Sequence, residues 1–217
     1  MKIRFACFMM IASGAMLFLS SCGNDEKTAA TTDSMSRKDS LKKAMAEDLP
    51  PSSDIKQFNW LYSGFVHAAT TGDDSLFNTF IHPAHGLWII HSNGAMPSFT
   101  NVKKISEFEL PNGKKLLPFD RDKMMTAPKE EELPVVDCDK KDFYSKSGCF
   151  TSQRNVFREE KIWQYAGLTP ADDKEVNFLS TTITRTVINT ETYCFYFSLI
   201  DGGWYLTFLD IRKPCSA

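Results

Sequence analysis

The sequence predicts an α+β domain in which N-terminal helices pack on a curved antiparallel sheet that ends in a C-terminal β-meander. Three observations carry this expectation. Phe58, Leu61, Tyr62, Phe65, Val66 and Ala69 recur at the i, i+3, i+4, i+7, i+8, i+11 spacing of one helix face. Gly86-Leu87-Trp88-Ile89-Ile90 is a short apolar run with the composition of a buried strand. Phe178–Ile188, Tyr193–Ile200 and Trp204–Ile211 are three β-rich runs, the last two separated by the hairpin signal Asp201-Gly202-Gly203.

Taken in chain order, Asp54 is placed to cap the first helix, with Gln57 three residues on. Thr71-Gly72-Asp73 ends that helix and caps a second, short one from Ser75 to Phe80, which Pro83 stops. Ser92-Asn93-Gly94 is a turn signal after the first strand. The stretch from Met96 to Phe150 holds five prolines and Glu130-Glu131-Glu132. It reads as loops with short strands near Val102–Leu110 and Leu133–Val136. A third helix fits Ser152–Ala166, closed by Gly167. Thr169-Pro170 then begins a fourth, as an N-cap followed by a first-turn proline. In the last two strands Tyr193, Phe195, Phe197 and Leu199 line one face, and Trp204, Leu206 and Phe208 alternate beside them.

Ahead of this domain the chain changes character twice. Lys2 and Arg4 precede a 15-residue apolar run from Phe5 to Leu19, too short for a comfortable membrane span and right for a signal sequence. Leu19-Ser20-Ser21-Cys22 follows directly and resembles the lipobox of bacterial lipoproteins. The resemblance implies that residues 1–21 are a cleaved signal peptide and that Cys22 is the lipid attachment point. A triacylated cysteine would supply the multiple chains that stable anchoring needs. Gly23, rather than Asp, follows Cys22, which implies an outer-membrane destination, on its periplasmic or surface face. Asn24-Asp25-Glu26 resembles the acidic export cluster of some Bacteroidetes lipoproteins. No aromatic residue occurs between Gly23 and Ser53, and Thr, Ser, Ala, Lys and Asp dominate. Such a stretch buries too little apolar surface to offset the entropy of ordering, so residues 22–53 read as a flexible tether. Residues 54–217 are then a single domain.

Composition narrows the function. Hydrophobic residues make up 42%, with 17 Phe and 4 Trp, which excludes wholesale disorder. The net charge of -2 without a basic stripe leaves no electrostatic footprint for nucleic acid. No Gly-x-Ser-x-Gly elbow, phosphate-binding loop, dinucleotide fingerprint or His-Glu-x-x-His motif occurs. The sequence therefore names no catalytic residue and implies no cofactor.

Four cysteines, Cys138, Cys149, Cys194 and Cys215, fall in the domain and, in an oxidising compartment, are candidates for disulfides. Three pairings are open. Cys138–Cys149, which closes a short loop, ranks first and leaves Cys194 with Cys215. The Asp201-Gly202 turn sets Cys194 opposite Leu209, so the tail after Pro214 would have to fold back. The absence of any Cys-x-x-Cys pair ranks zinc below structural bridges. His82, His85 and His91 match no zinc signature, and no metal site is expected of them.

The helix, short helix, Gly-Leu-Trp-Ile-Ile strand and terminal Asp-Gly-Gly-Trp-Tyr-Leu-Thr-Phe strand together resemble the NTF2-like fold, a curved sheet wrapped over helices as a cone. Residues 99–177 exceed its compact version and would be an insertion or a divergent part. The resemblance implies a cavity which, in the enzymes of that fold, holds an acid–base pair. His67 and Arg185 are the residues that could face it. Two functions follow as expectations. The first is a membrane-anchored envelope lipoprotein whose domain binds a small ligand or an envelope protein without catalysis. The alternative is an NTF2-like isomerase, dehydratase or hydrolase.

Overall fold

The computed structural model describes residues 55–92, 96–124 and 127–215. The signal sequence, Cys22, the tether and the Asp54 cap lie outside the described residues, as does the Asn93-Gly94 turn. Among the described residues no helix is long and apolar enough to cross a membrane.

The element order is α1 (Ile55–Thr71), α2 (Asp74–Phe77) with a 3-10 turn Asn78–Phe80, β1 (Leu87–Ser92) and β2 (Pro97–Val102). A 3-10 turn at Ile105–Glu107, β3 (Lys129–Glu130), β4 (Cys149–Ser152) and α3 (Val156–Glu160) follow. Last come a 3-10 turn Ile162–Tyr165, α4 (Pro170–Ser180), β5 (Ile183–Asn189), β6 (Cys194–Ile200) and β7 (Gly203–Asp210). The strands form one seven-stranded sheet in the order β2-β1-β7-β6-β5-β4-β3. It is antiparallel except where β1 lies parallel to β7 and β3 to β4. The class is the α+β one that the sequence predicts, with the C-terminal meander β4–β7 at its centre.

The caps follow the local sequence. The Asp73 carboxylate accepts from the Leu76 N–H, and the Thr169 hydroxyl accepts from the Asp172 N–H with Pro170 in the first turn. The long third helix is not formed. Asn155 caps a helix of five residues, and Lys161 takes a left-handed conformation that ends it at Glu160. Ser152 instead closes β4, and Phe178–Ser180 belong to α4 rather than to a strand. The expected strand at Val102–Leu110 is not formed: β2 ends at Val102, and a 3-10 turn follows. Near Leu133–Val136 there is only a bridge between Val136 and Tyr144.

Both faces of the sheet are covered. The apolar stripe of α1 packs on one face, where Phe58, Tyr62 and Phe65 meet Phe195, Phe197, Trp204, Leu206 and Leu209. Phe65 alone lies within ring contact of Phe77, Phe80, Phe195 and Phe197, at 5.2–5.7 Å between centroids. Segment 105–124 laps over the end of this core through Ile105, Phe108, Leu116, Phe119 and Met124. On the opposite face α3, the following 3-10 turn and α4 lay Phe157, Trp163, Val176 and Leu179 over Trp88, Ile90, Tyr196 and Phe208. Phe157 stacks on Phe208 with centroids 4.1 Å apart.

The two faces are not set by strict alternation. Tyr196 pairs with Phe208 but Phe197 pairs with Leu206, so Thr207 is an extra residue in β7. Leu206 consequently faces α1 while Phe208 faces α3. The same bulge puts Asp210, and not Leu209, opposite Cys194. A second irregularity, between Ile183 and Arg185, turns Ile183 to the α3 side and Val187 to the α1 side.

Candidate functional site

Alternation beyond the bulge places Phe150, Ile188, Cys194 and Asp210 side by side across β4, β5, β6 and β7. All four lie on the face that carries α3. The short helix covers only part of that face. Beyond it a pocket of about 520 Å³ opens between α3, the excursion that carries Val136, Cys138 and Tyr144, and the C-terminal segment. Its volume falls in the range of small-ligand sites.

The pocket is lined by apolar Val136, Val156 and Ile188 and by charged Glu160, Asp210, Arg212 and Lys213. Arg212 is held by Asp210 in a two-pronged pair, with Nε donating at 2.9 Å and Nη2 at 2.7 Å. The Arg212 backbone N–H also donates to Asp210 Oδ1, at 3.0 Å, which turns the chain out of β7. Glu160, the last residue of α3, forms no ion pair with Arg212. Burial raises its carboxyl above the ordinary value, Arg212 pulls it part of the way back, and Asp210 adds to the rise. Tyr196, two residues along β6 from Cys194, also lines the pocket. Burial pushes both the Cys194 thiol and the Tyr196 phenol well up, so each stays protonated at neutral pH.

A disulfide closes the rim, and it joins Cys138 to Cys215, not Cys138 to Cys149. The correction has a simple cause in the pleat. Cys149 stands opposite Asn189 on the α1 face, with its sulfur 3.7 Å from the Tyr62 hydroxyl. Cys138 lies over the other face, so the sheet separates them. Nor do Cys194 and Cys215 pair. Cys194 is a free thiol in the wall of the pocket, while the chain after Pro214 folds back to reach Cys138. Burial pushes the Cys149 thiol up to about 11.

The histidines separate. The His82 and His85 rings lie 4.5 Å apart, and His85 Nδ1 is 2.7 Å from Glu175 on α4. His91 is on β1, with Nε2 at 3.0 Å from the Thr100 hydroxyl. Among the described residues no three His, Cys, Asp or Glu side chains converge as metal ligands would. His67 is exposed on α1. Arg185 is 2% exposed, paired with Glu130 and set against the Phe58 ring. The space between α1 and the sheet, where the NTF2-like resemblance implies a cavity, is filled by the Phe58, Tyr62, Phe65, Phe195 and Phe197 rings.

Of the residues singled out in the sequence, Cys138, Cys194 and Cys215 meet at the pocket. Glu160, Asp210, Arg212 and Tyr196 were missed. Asp210-x-Arg212 just past a terminal strand is the one local signal that could have marked them, as a turn with a built-in ion pair.

The fold and the site together define one α+β domain with a packed aromatic core on one sheet face and a half-apolar, half-charged pocket on the other. No family model, curated protein or solved structure matches this chain.

Proposed function

We propose that this chain is a lipid-anchored protein of the bacterial cell envelope whose domain holds a small ligand without transforming it. The observation that supports the binding reading is the pocket of about 520 Å³, lined by both apolar and charged groups. Such a division suits an amphipathic small molecule, since the apolar side supplies burial and the few polar groups fix orientation. The half-buried, protonated Cys194 and the buried, protonated Tyr196 are poor nucleophiles and bases at neutral pH. The lipobox-like Leu19-Ser20-Ser21-Cys22 supports the anchor, and the aromatic-free stretch after it supports a tether to the membrane.

Two experiments test the two halves. Cys22→Ala is expected to leave the protein in the soluble fraction or as the uncleaved precursor. A mutant that still fractionates with membranes at the mature size overturns the anchor. For the pocket, Val156→Trp fills the apolar wall. Small molecules that raise the Tm of the full chain in detergent are expected to lose that effect in the variant. If no compound of a metabolite library shifts the Tm, or if Val156→Trp responds as the parent does, the binding reading falls.

A further inference from the structure

The two edges of the sheet are guarded differently. β3 is two residues long, Lys129 and Glu130, both charged and exposed, which is a common way to blunt an edge against strand addition. β2, at the other edge, runs for six residues and carries no charge from Pro97 to Val102. The direction of its backbone groups follows from the neighbouring ladders. The Ile90 carbonyl accepts from the Ile211 N–H, so Ile90 faces β7 while the backbone groups of Ile89 and His91 face β2. Thr100 and Ser98 stand opposite them, which directs the N–H and C=O of Phe99 and Asn101 away from the sheet. Among the described residues nothing bonds to these four groups. The row is closed at both ends. Pro97 has no N–H, and the Lys103 N–H donates to the Glu107 carboxylate at 2.8 Å.

The open row is complementary to itself in one register. When a second β2 lies antiparallel about a two-fold axis through Thr100, Phe99 of each strand meets Asn101 of the other. The two pairs exchange four N–H···O=C bonds, and every free donor and acceptor of Phe99 and Asn101 is used. Pro97, which cannot donate, then stands opposite Lys103, whose N–H is already taken. An axis through Phe99 would instead press the Asn101 carbonyl against the Pro97 ring. An axis through Asn101 would set the Phe99 carbonyl against the occupied Lys103 N–H. Apolar surface lies beside this edge: the 3-10 turn Ile162–Tyr165 packs on β2 and leaves Tyr165 62% exposed, and Met96, just before the strand, is 57% exposed. We infer that β2 is the docking surface for a second copy of this chain, in a two-fold pair that continues the sheet from one protomer into the next.

The test uses the full chain in density-matched detergent. The parent is expected to sediment as a dimer, and a parent that stays monomeric up to about 0.1 mM overturns the inference. Thr100 would lie on the axis in a non-hydrogen-bonded pair, with Cα atoms about 4.5 Å apart and within disulfide range. Ser98 would stand about 14 Å from its own mate, four residues out of step. Under mild oxidation Thr100→Cys is expected to give a reducible dimer at least about tenfold more abundant than Ser98→Cys gives. Equal cross-linking at the two positions, or none at 100, overturns the register; pairing of β2 with another segment of the chain or with a different protein would produce that result. Thr100→Lys and Thr100→Glu each set like charges across the axis, and each alone is expected to sediment as a monomer. An equimolar mixture of the two is expected to recover the dimer, which a loss of folding could not do. Variants that dimerise alone as the parent does overturn the inference.

Discussion

Phe208 stands opposite Tyr196 on the sheet face that α3 covers, although Leu206, only two residues earlier, faces α1. Thr207 separates them as a bulge, and everything after it in β7 changes sides relative to plain alternation. Asp210 thereby points into the pocket beside Cys194. Without the bulge the carboxylate would enter the aromatic core under α1. The site thus depends on Thr207 standing outside the alternation of the last strand.

Thr207 tests this directly. Its hydroxyl is buried and has no hydrogen-bond partner among the described residues. Thr207→Val keeps the β-branched shape and removes a desolvated polar group. It is expected to raise stability by about 1 kcal/mol in urea unfolding. Inserting a residue between Phe208 and Leu209 is expected to abolish cooperative unfolding, because register would then drive Leu209 and Asp210 to the wrong faces.

Gly86 enters β1 with φ +74°, and a Cβ there would meet the Val102 carbonyl oxygen at 2.6 Å and the Asn101 amide at 2.8 Å. Backbone, rather than a yielding side chain, is the obstacle. That same Asn101 amide donates to the His85 carbonyl and ties the turn to β2. Gly86→Ala is expected to cost about 2–4 kcal/mol, read as a lowered urea midpoint at unchanged slope.

The Cys138–Cys215 bond spans a sequence separation of 77 and clamps the C-terminal segment over the pocket. Chain-entropy reasoning gives such a loop a stabilisation of up to about 4 kcal/mol. Cys138→Ser is expected to lower stability by about 2–4 kcal/mol and to expose Cys215 to alkylation. Cys149 and Cys194 are expected to stay unlabelled at pH 8 until the protein unfolds, because Cys149 is buried, Cys194 is half-buried, and the ionisation of both is pushed up. Peptide mapping after alkylation reads all four sites.

Glu160 sets a pH dependence. Its carboxyl is raised in the folded protein above the ordinary 4.5, so the native state keeps a proton that the unfolded chain has released. The associated stabilisation is full below about pH 4.5 and is lost as pH rises through the raised value. Glu160→Gln removes this slope. Its Tm relative to the parent is expected to be higher at pH 7 than at pH 4. A constant difference across that range would contradict the assignment.

Much of the frame was legible in the residues. The α1 stripe, the Asp73 and Thr169 caps, the Asp201-Gly202 hairpin and the three-strand C-terminal meander are local patterns, and each appears with shifts of a few residues. The third helix failed because a left-handed Lys161 interrupts a pattern that periodicity alone would continue. The site was largely hidden. Glu160, Tyr196 and Arg212 come from different elements, and only the packing of α3 on the sheet assembles them.

The sequence by itself determined the class of fold, since apolar period and turn chemistry act within a few residues of one another. It also carries the lipobox-like Leu19-Ser20-Ser21-Cys22. Tertiary structure decided which face each strand residue serves, which cysteines meet, and which charges share a pocket. Those outcomes depend on register, and a single bulged residue inverts register without leaving a mark in the local hydrophobic pattern. Cys138 and Cys149 are close in sequence but divided by the sheet, while Cys138 and Cys215 are far apart in sequence and joined across the pocket.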